Sequence, residues 1–390
     1  MEEPIYFDYA ATTPVRPEVV DAMLPYLGAA FGNPSSPHRF GRSARAGLEQ
    51  ARREVAVAVG AEPNQVIFTS GGTEADNLAV IGTALAARNK GRRMAAVTAS
   101  TEHKAVLAAA HAVVHMGGEE VMLPVDRNGL VDLESLARAL GANPAVVSIM
   151  WVNNETGVIQ PIQTIARMCN EAEVPFHSDA VQAFGKVHVS LSEAPCTLLS
   201  LSGHKIGAPK GIGALVVRAK GIVEALIHGG GQQFGIRPGT ENVAGAVAMG
   251  CAARLASQEQ ASEAARLRTL RDELATGLRA AVPDIVIHSE QVDRAPHILS
   301  VSVPGTDGQA LLMHLDLAGI AASGGSACTT GSVDPSHVLA ALGVPRDLAQ
   351  GTVRLSLGHD TTRPHIERVI AVFPIIVQKV RDLAVVLGRA

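Results

Sequence analysis

Among the seven lysines of this 390-residue chain, Lys205 stands where a reactive amine would be made. It follows the apolar run TLLSL and lies in the glycine-rich turn SGHKIGAPKG. A lysine there is partly desolvated, which favours its neutral form and suits it to bond with a carbonyl as a Schiff base. Ser202 and His204 add hydrogen-bonding groups beside it. Lys210 and Lys220 read as surface residues, and Lys104, in TEHK, is the one rival, placed at a helix start as a solvated residue. A second reactive group is Cys328, in ASGGSACTTGSVDPS. Glycines and small polar residues around it predict an exposed, flexible setting for a thiol that reacts as its thiolate. Cys169, Cys196 and Cys251 lie in apolar or helical contexts, where free cysteine acts as a small hydrophobe.

Other groups could hold a ligand around that amine. In SGGTEADN, residues 70–77, two glycines lead from a strand into a helix near Thr73. Unpaired N–H groups at a helix start suit a phosphate, although Thr73 could equally serve as a simple N-cap. Asp179, in HSDAVQ, follows an apolar strand and should be partly buried. A buried carboxylate needs a cationic partner; a protonated pyridine nitrogen and an internal ion pair both qualify. His103 is a candidate for ring stacking or proton transfer, or a core histidine satisfied by hydrogen bonds. Arg354, between apolar residues of TVRLSLG, would clasp a carboxylate, either a substrate's or the protein's own.

These groups need a frame. From about residue 66 to 218 short apolar runs alternate with helix-like stretches: QVIFT, RMAAVTA, EEVMLPV, AVVSIMWV, VPFHSD, TLLSLSG and GALVVR. The alternation predicts an α/β domain with a mostly parallel sheet covered on both faces. SGGTE, TEHK, NNETG, SDAVQ and SGHK each follow one of the apolar runs, where ligands sit in open α/β sheets. A long helix is expected from Val243 to Ala281, followed by strands IVIHS and HILSVSV, a helix over residues 309–317, strand TVRLSL and a terminal helix. This reads as a smaller α+β domain, with the boundary near 255 inside the long helix.

Composition excludes several classes. Hydrophobic residues make up 47% and charged residues 18%, which fits a globular chain and not a disordered one. Aromatics are 3%, so the core must be aliphatic. The formal charge of -4 and the absence of a basic stretch argue against nucleic-acid binding. No apolar run reaches membrane-spanning length, and MEEPIYFDYA lacks the apolar segment of a secretory signal. Four cysteines without a CxxC suggest neither a zinc site nor a disulfide framework, and a cytoplasmic protein with reduced thiols is expected.

Taken together the motifs resemble the cysteine desulfurases of the NifS/IscS type, within the class-V aminotransferase family. The resemblance runs from YFDYAATTPVRPEV through FGNPSSPHRFG, FTSGGTEADNLA, TEHKAVL, VNNETGVIQPI, HSDAVQAFGK, SGHKIGAPKGIGAL, HGGGQQFGIRPGTEN and SGGSACTTG to VRLSLG. It implies the fold type I of pyridoxal 5'-phosphate (PLP)-dependent transferases: a large domain with a mostly parallel mixed sheet, residues 14–255, and a small α+β domain, residues 256–390 with 1–13, carrying the Cys328 loop. It implies that Lys205 bonds to PLP and later moves protons, that Asp179 pairs with the ring nitrogen, and that His103 stacks on the ring and serves in acid/base work. Gln182 and Asn154 would contact the ring hydroxyl or the substrate side. Gly72, Thr73, Ser202 and His204 would hold the phosphate, Gly203 would also bind the cofactor, and Thr240 would reach the phosphate of a partner in a homodimer. Arg354 would clamp the substrate carboxylate, with Asn33 and Asn154 assisting.

The implied reaction takes sulfur from L-cysteine, leaves L-alanine and places a persulfide on Cys328, for delivery to an Fe–S scaffold or a tRNA-thiolation enzyme. No resident metal is implied, and a cluster contact shared with a partner at Cys328 stays open. Ile236 replaces a first arginine of many relatives, SGGSAC begins SGG rather than SSG, and the HD of GHDTT replaces an arginine seen in some. Selenocysteine lyase, another PLP reaction such as transamination, and a non-catalytic Fe–S scaffold are the competing readings. The Cys328 thiol argues against transamination, which needs none.

Overall fold

The computed structural model describes residues 4–324 and 336–386. Cys328 therefore lies outside the described residues. In chain order the first part contains β1 (Ile5–Tyr6), α1 (Pro17–Leu27), α2 (Arg39–Val59), β2 (Val66–Thr69), α3 (Gly72–Asn89), β3 (Ala95–Ala99), α4 (Lys104–His115), β4 (Glu119–Leu123), α5 (Leu133–Leu140), β5 (Val146–Ser148), α6 (Ile162–Glu171), β6 (Phe176–Asp179), β7 (Leu198–Ser202) and β8 (Gly213–Val217). The remainder contains α7 (Val243–Ala281), β9 (Val286–Ile287), β10 (Ile298–Ser302), α8 (Gly308–Leu317), β11 (Ile320–Ala321), α9 (His337–Ala341), α10 (Arg346–Gln350), β12 (Thr352–Ser356) and α11 (Arg363–Val386).

Seven strands form one sheet in the order β2-β8-β7-β6-β5-β3-β4. The pairs β3–β4, β3–β5, β5–β6 and β6–β7 are parallel, while β8 runs antiparallel to both its neighbours, β2 and β7. This is the mostly parallel mixed sheet that the alternation of apolar runs and helices predicts. Its central strands are buried throughout, as a sheet covered on two faces requires. AVVSIMWV, which reads as one long strand, keeps strand pairing only over Val146–Ser148. Backbone bonding to β6 continues beyond it, Ile149 N–H donating to His177 O and Trp151 N–H to Asp179 O, while Trp151 O accepts from Gln160 N–H.

Two helices show how packing selects helical faces. α2 buries Ala44, Leu48, Ala51, Val55 and Val59, a stripe at three- and four-residue spacing. It lays this stripe in the core that also holds Ala246, Met249 and Ala253 of α7. α3 is buried on nearly every side because it lies between the sheet and α4. At 39 residues α7 is about 58 Å long. Its first third belongs to the sheet core, and Leu267, Leu270, Leu274 and Leu278 belong to a second core with β10, β12 and α11. The three-stranded sheet β12-β10-β9 floors that second core, and Phe7 of the N-terminal segment enters it. β1 pairs in parallel with β11, which fastens the chain's start to the later elements.

Candidate active site

The carboxyl ends of the parallel strands open into a cavity of about 390 Å³. β2 leads to Gly72 and Thr73, β6 ends at Asp179, β7 leads through Ser202 to His204 and Lys205, and the segments after β3 and β5 deliver His103 and Asn154; all of these line the cavity. Gln182 and Arg354 complete the wall. The alternation of strand and polar turn thus converges as expected for an α/β sheet.

Lys205 closes a short 3₁₀ turn, Gly203–Lys205, directly after β7. Its Nζ donates to the carbonyl oxygens of Ala10 at 2.5 Å and Ala11 at 2.7 Å. The segment that supplies these carbonyls is fastened to the lysine's own turn. Thr13 N–H and Oγ–H both donate to His204 O, Gly207 N–H donates to Thr13 Oγ1, and His204 Nδ1 lies 3.1 Å from Thr12 Oγ1. Burial, and then the charges of Lys205 and Lys210, lower the His204 pKa to about 4, so this imidazole is neutral at physiological pH.

Asp179 is buried, and its Oδ1 accepts from Val181 N–H at 2.9 Å. Burial raises its pKa, while His103 and Lys205 oppose the rise. His103 caps α4 by accepting from Ala105 N–H on Nδ1, which leaves the neutral ring's proton on Nε2. Oxygens of Asp76 and Asp179 and a nitrogen of His103 lie within 4.8 Å of one another. At the other end of the cavity α3 begins without a side-chain cap, so its first amide groups are open to a ligand. Gly72 gives access there: a Cβ on it would meet Val181 Cγ2 at 2.9 Å and Ser202 Cβ at 3.5 Å.

Arg354 is 1% exposed. Its NH2 donates to Asp8 Oδ1 at 2.8 Å, its NH1 to Asn154 O at 2.7 Å, and its Nε is buried without a partner. The internal ion pair foreseen as one option exists, and the same guanidinium still faces the cavity. Removing one partner of a buried ion pair leaves an uncompensated charge. Asp8→Ala is therefore expected to destabilise the fold by about 3 kcal/mol, to be read from urea unfolding; an unchanged midpoint would refute the pairing.

Three other predicted residues lie elsewhere. Gly203 is buried, does not line the cavity, and donates its N–H to Ile212 O. Asn33 and Thr240 are exposed, and neither lines the cavity. Asn33 Oδ1 accepts from Ser35 N–H, and the Thr240 loop is tied to the first turn of α3 through Arg237–Glu74 at 2.8 Å. Lys104 differs from the solvated residue expected: it is half-buried, lines the cavity and acts electrostatically on Glu155.

Sequence reasoning missed the buried acids. Glu155 receives a hydrogen bond from Ser336, and burial raises its pKa against the pull of Ser336, His337, Arg354 and Lys104. Glu102 has no exposure; Oε1 accepts from Met150 N–H and Oε2 has no partner. Burial and then the charge of Asp179 raise its pKa well above the ordinary carboxylate range. An acid whose pKa is raised by folding stabilises the fold below its unfolded pKa, and the contribution is lost as pH rises toward the folded value. Glu102→Gln, neutral at every pH, is expected to lose less stability than the parent between about pH 5 and pH 8, by on the order of 1 kcal/mol. Urea unfolding at both pH values checks this, and equal losses would refute it. The TEH triplet was the only signal for Glu102, and strand-end placement could have flagged it.

The two ends of the undescribed segment are held at the same wall. Ser323 exchanges backbone hydrogen bonds with Arg354, and Ser336 donates to Glu155.

PLP is a group these residues can hold. The cavity offers an amine, a buried carboxylate beside an imidazole, and an open helix start cleared by a glycine.

Comparison with known proteins shows the family. The class-V aminotransferase family description matches residues 5–369. The chain is 43% identical over 384 residues to "Cysteine desulfurase IscS" of Dictyoglomus turgidum, covering 98% of this chain and 97% of that protein. It is 44% identical over 380 residues to the protein of the same name from Methanosarcina thermophila, covering 97% and 93%. Among solved structures a "NIFS-LIKE PROTEIN" superposes with a TM-score of 0.87 at 34% identity, covering 98% of this chain and 99% of that one.

Proposed function

The chain belongs to the class-V aminotransferase family, and from that premise we propose that it is a cysteine desulfurase, with PLP on Lys205 and Cys328 as sulfur acceptor. One observation carries the reading: Lys205, Asp179, His103 and the open start of α3 line a single cavity. The cofactor, when bound, supplies an electron sink that takes up charge as the substrate's α-proton leaves.

The protein's own groups do the rest. The carbonyls of Ala10 and Ala11 orient the Lys205 amine, which holds the cofactor and, once released from it, is placed to carry a proton. With PLP bound, Asp179 would face the ring nitrogen as the anion that keeps it protonated. His103, with its Nε2 proton, would cover the ring and give or take a proton at that atom. Gly72, Thr73, Ser202 and His204 would hold the phosphate, and Gln182 and Asn154 the ring hydroxyl and substrate side. Arg354 receives the substrate carboxylate with the N–H capacity left after Asp8 and Asn154. The Cys328 thiolate then attacks the substrate sulfur. A sulfur–sulfur bond forms, the carbon–sulfur bond breaks with its electron pair left on carbon, and protonation of that carbon gives the methyl group of alanine.

We further infer a homodimer in which Thr240 serves the partner's cavity. In its support, Phe31, Phe40 and Phe234 are exposed in a chain with only eight phenylalanines, a costly choice for a free surface. The acceptor is a protein that builds Fe–S clusters or thiolates tRNA, and the enzyme is cytoplasmic; Cys169, Cys196 and Cys251 are free and buried, and no helix among the described residues is long and apolar enough to cross a membrane. The division into residues 14–255 and 256–390 with 1–13 is supported by the two cores that meet along α7.

The test is to incubate the purified protein with PLP and L-cysteine, quantify alanine, and locate the added sulfur by mass spectrometry. Alanine in step with a persulfide on Cys328 is expected. No alanine, or turnover on selenocysteine alone, would overturn the reading.

A further inference from the structure

Asp76 has no part in the reading above, yet it is 1% exposed and lies at the centre of the site. It projects from the second turn of α3. Its carboxyl is within 4.8 Å of those of Asp179 and of the His103 ring, and its Oδ1 is buried without a hydrogen-bond partner. His177 Nε2 lies 3.7 Å from Oδ1, too far for a hydrogen bond.

The neighbours of His177 fix the direction of the hydrogen bonds here. His177 Nδ1 lies 2.8 Å from Ser148 Oγ, and Nε2 lies 2.9 Å from Ser200 Oγ. The Ser200 hydroxyl also favours the charged form of Asp76, so it is the group placed to donate to that carboxyl. Ser200 has one proton, and given to Asp76 it leaves the Ser200 oxygen to accept from His177 Nε2–H. Nδ1 of a neutral ring then accepts from Ser148. The wholly buried ring is neutral, since burial lowers its pKa to about 3. A polar chain thus crosses β5, β6 and β7 and ends by donating to Asp76.

Two carboxylates this close in a buried site do not both ionise. Of the pair, Asp179 has the stabilising neighbours: His103, the Val181 N–H and Lys205 favour its charge, whereas Asp76 feels burial first and then the repulsion of Asp179 and of Glu102. The proton belongs on Asp76.

We propose that Asp76 is a positioning residue: as a neutral acid it accepts from Ser200 and donates its own proton to Asp179, holding that carboxylate ionised and aimed at the cofactor's ring nitrogen. The proposal rests on the cofactor reading of the preceding subsection. It makes Asp76 equivalent to an amide, because an asparagine there could accept from Ser200 and donate to Asp179 in the same two directions. The rival arrangement, an ionised Asp76 paired with a charged His177, makes asparagine as harmful as alanine.

The experiment titrates PLP into apo-protein of the parent, Asp76→Asn and Asp76→Ala, following the visible band for affinity and for the pH midpoint of its colour change. Far-UV circular dichroism checks that each apo-protein is folded. Asp76→Asn is expected to bind within about threefold of the parent with an unmoved midpoint. Asp76→Ala is expected to bind roughly tenfold or more weakly with a shifted midpoint, the loss of a hydrogen bond to a charged group. If Asp76→Ala does not fold, Asp76→Asn still decides between the two arrangements. Asparagine as defective as alanine, or alanine indistinguishable from the parent, overturns the proposal and leaves the cysteine desulfurase reading in place. A parent protein that takes up no PLP overturns that reading and this proposal with it.

Discussion

Lys205→Ala is expected to remove the visible absorption of the PLP-loaded protein and to lower alanine formation by at least about four orders of magnitude. The effect is this large because one atom has two duties. In the proposed mechanism Nζ is the point of covalent attachment and the group placed to carry a proton afterwards, and neither duty passes to a neighbour. Lys104 is the only other lysine lining the cavity. It begins α4 and acts electrostatically on Glu155, whereas Lys205 is held by the carbonyls of Ala10 and Ala11. Lys104→Ala should therefore keep the visible band. A spectrum lost in Lys104→Ala and kept in Lys205→Ala would exchange the two roles and refute the assignment.

Whether that contrast could be read from sequence separates what was legible from what was not. Lys205 and Asp179 announce themselves because a charged residue directly after an apolar strand has few places to go other than the sheet's carboxyl edge. The same rule located Gly72, Ser202 and His103. Its failures share a cause: each involves a partner remote in sequence. Nothing local to Arg354 says that Asp8, 346 residues away, will hold its guanidinium. Nothing in AATTP says that its carbonyls and hydroxyls will fasten the lysine's turn. Lys104 reads as solvated because a helix start is usually exposed, and here Glu155 and the elements carrying His337 and Arg354 close over it. Asp76 reads as a helix-start acid favoured by the dipole. Only the neighbouring strands reveal that it is sealed beside a second carboxyl. The small unit was legible as elements but not as sheet order, since the pairings of β12 with β10 and of β1 with β11 depend on contacts across the chain.

Cys328→Ser is expected to leave the visible band intact while sulfide release from L-cysteine falls by about a hundredfold or more. The reasoning is by substitution of nucleophile and by exclusion. A serine hydroxyl does not ionise near neutral pH and is a poor attacker of divalent sulfur, so the carbon–sulfur bond has no partner to transfer to. The remaining thiols do not compensate. Burial pushes Cys169 and Cys196 up to about 12, and Cys251 is also raised by burial. All three are buried, and none lines the cavity. Cys328 lies outside the described residues; of the described residues on either side of it, Ser323 is bonded to Arg354 and Ser336 to Glu155, and both partners line the cavity. Retention of the band separates this variant from Lys205→Ala, because the proposed cofactor binding draws on Lys205, Asp179 and α3 and not on the thiol. Cys169→Ser, Cys196→Ser and Cys251→Ser should each desulfurate like the parent. Sulfide release from Cys328→Ser at the parent rate would show that the sulfur leaves by a route that needs no protein thiol, and the persulfide mechanism would then be wrong even with Lys205 in its proposed role.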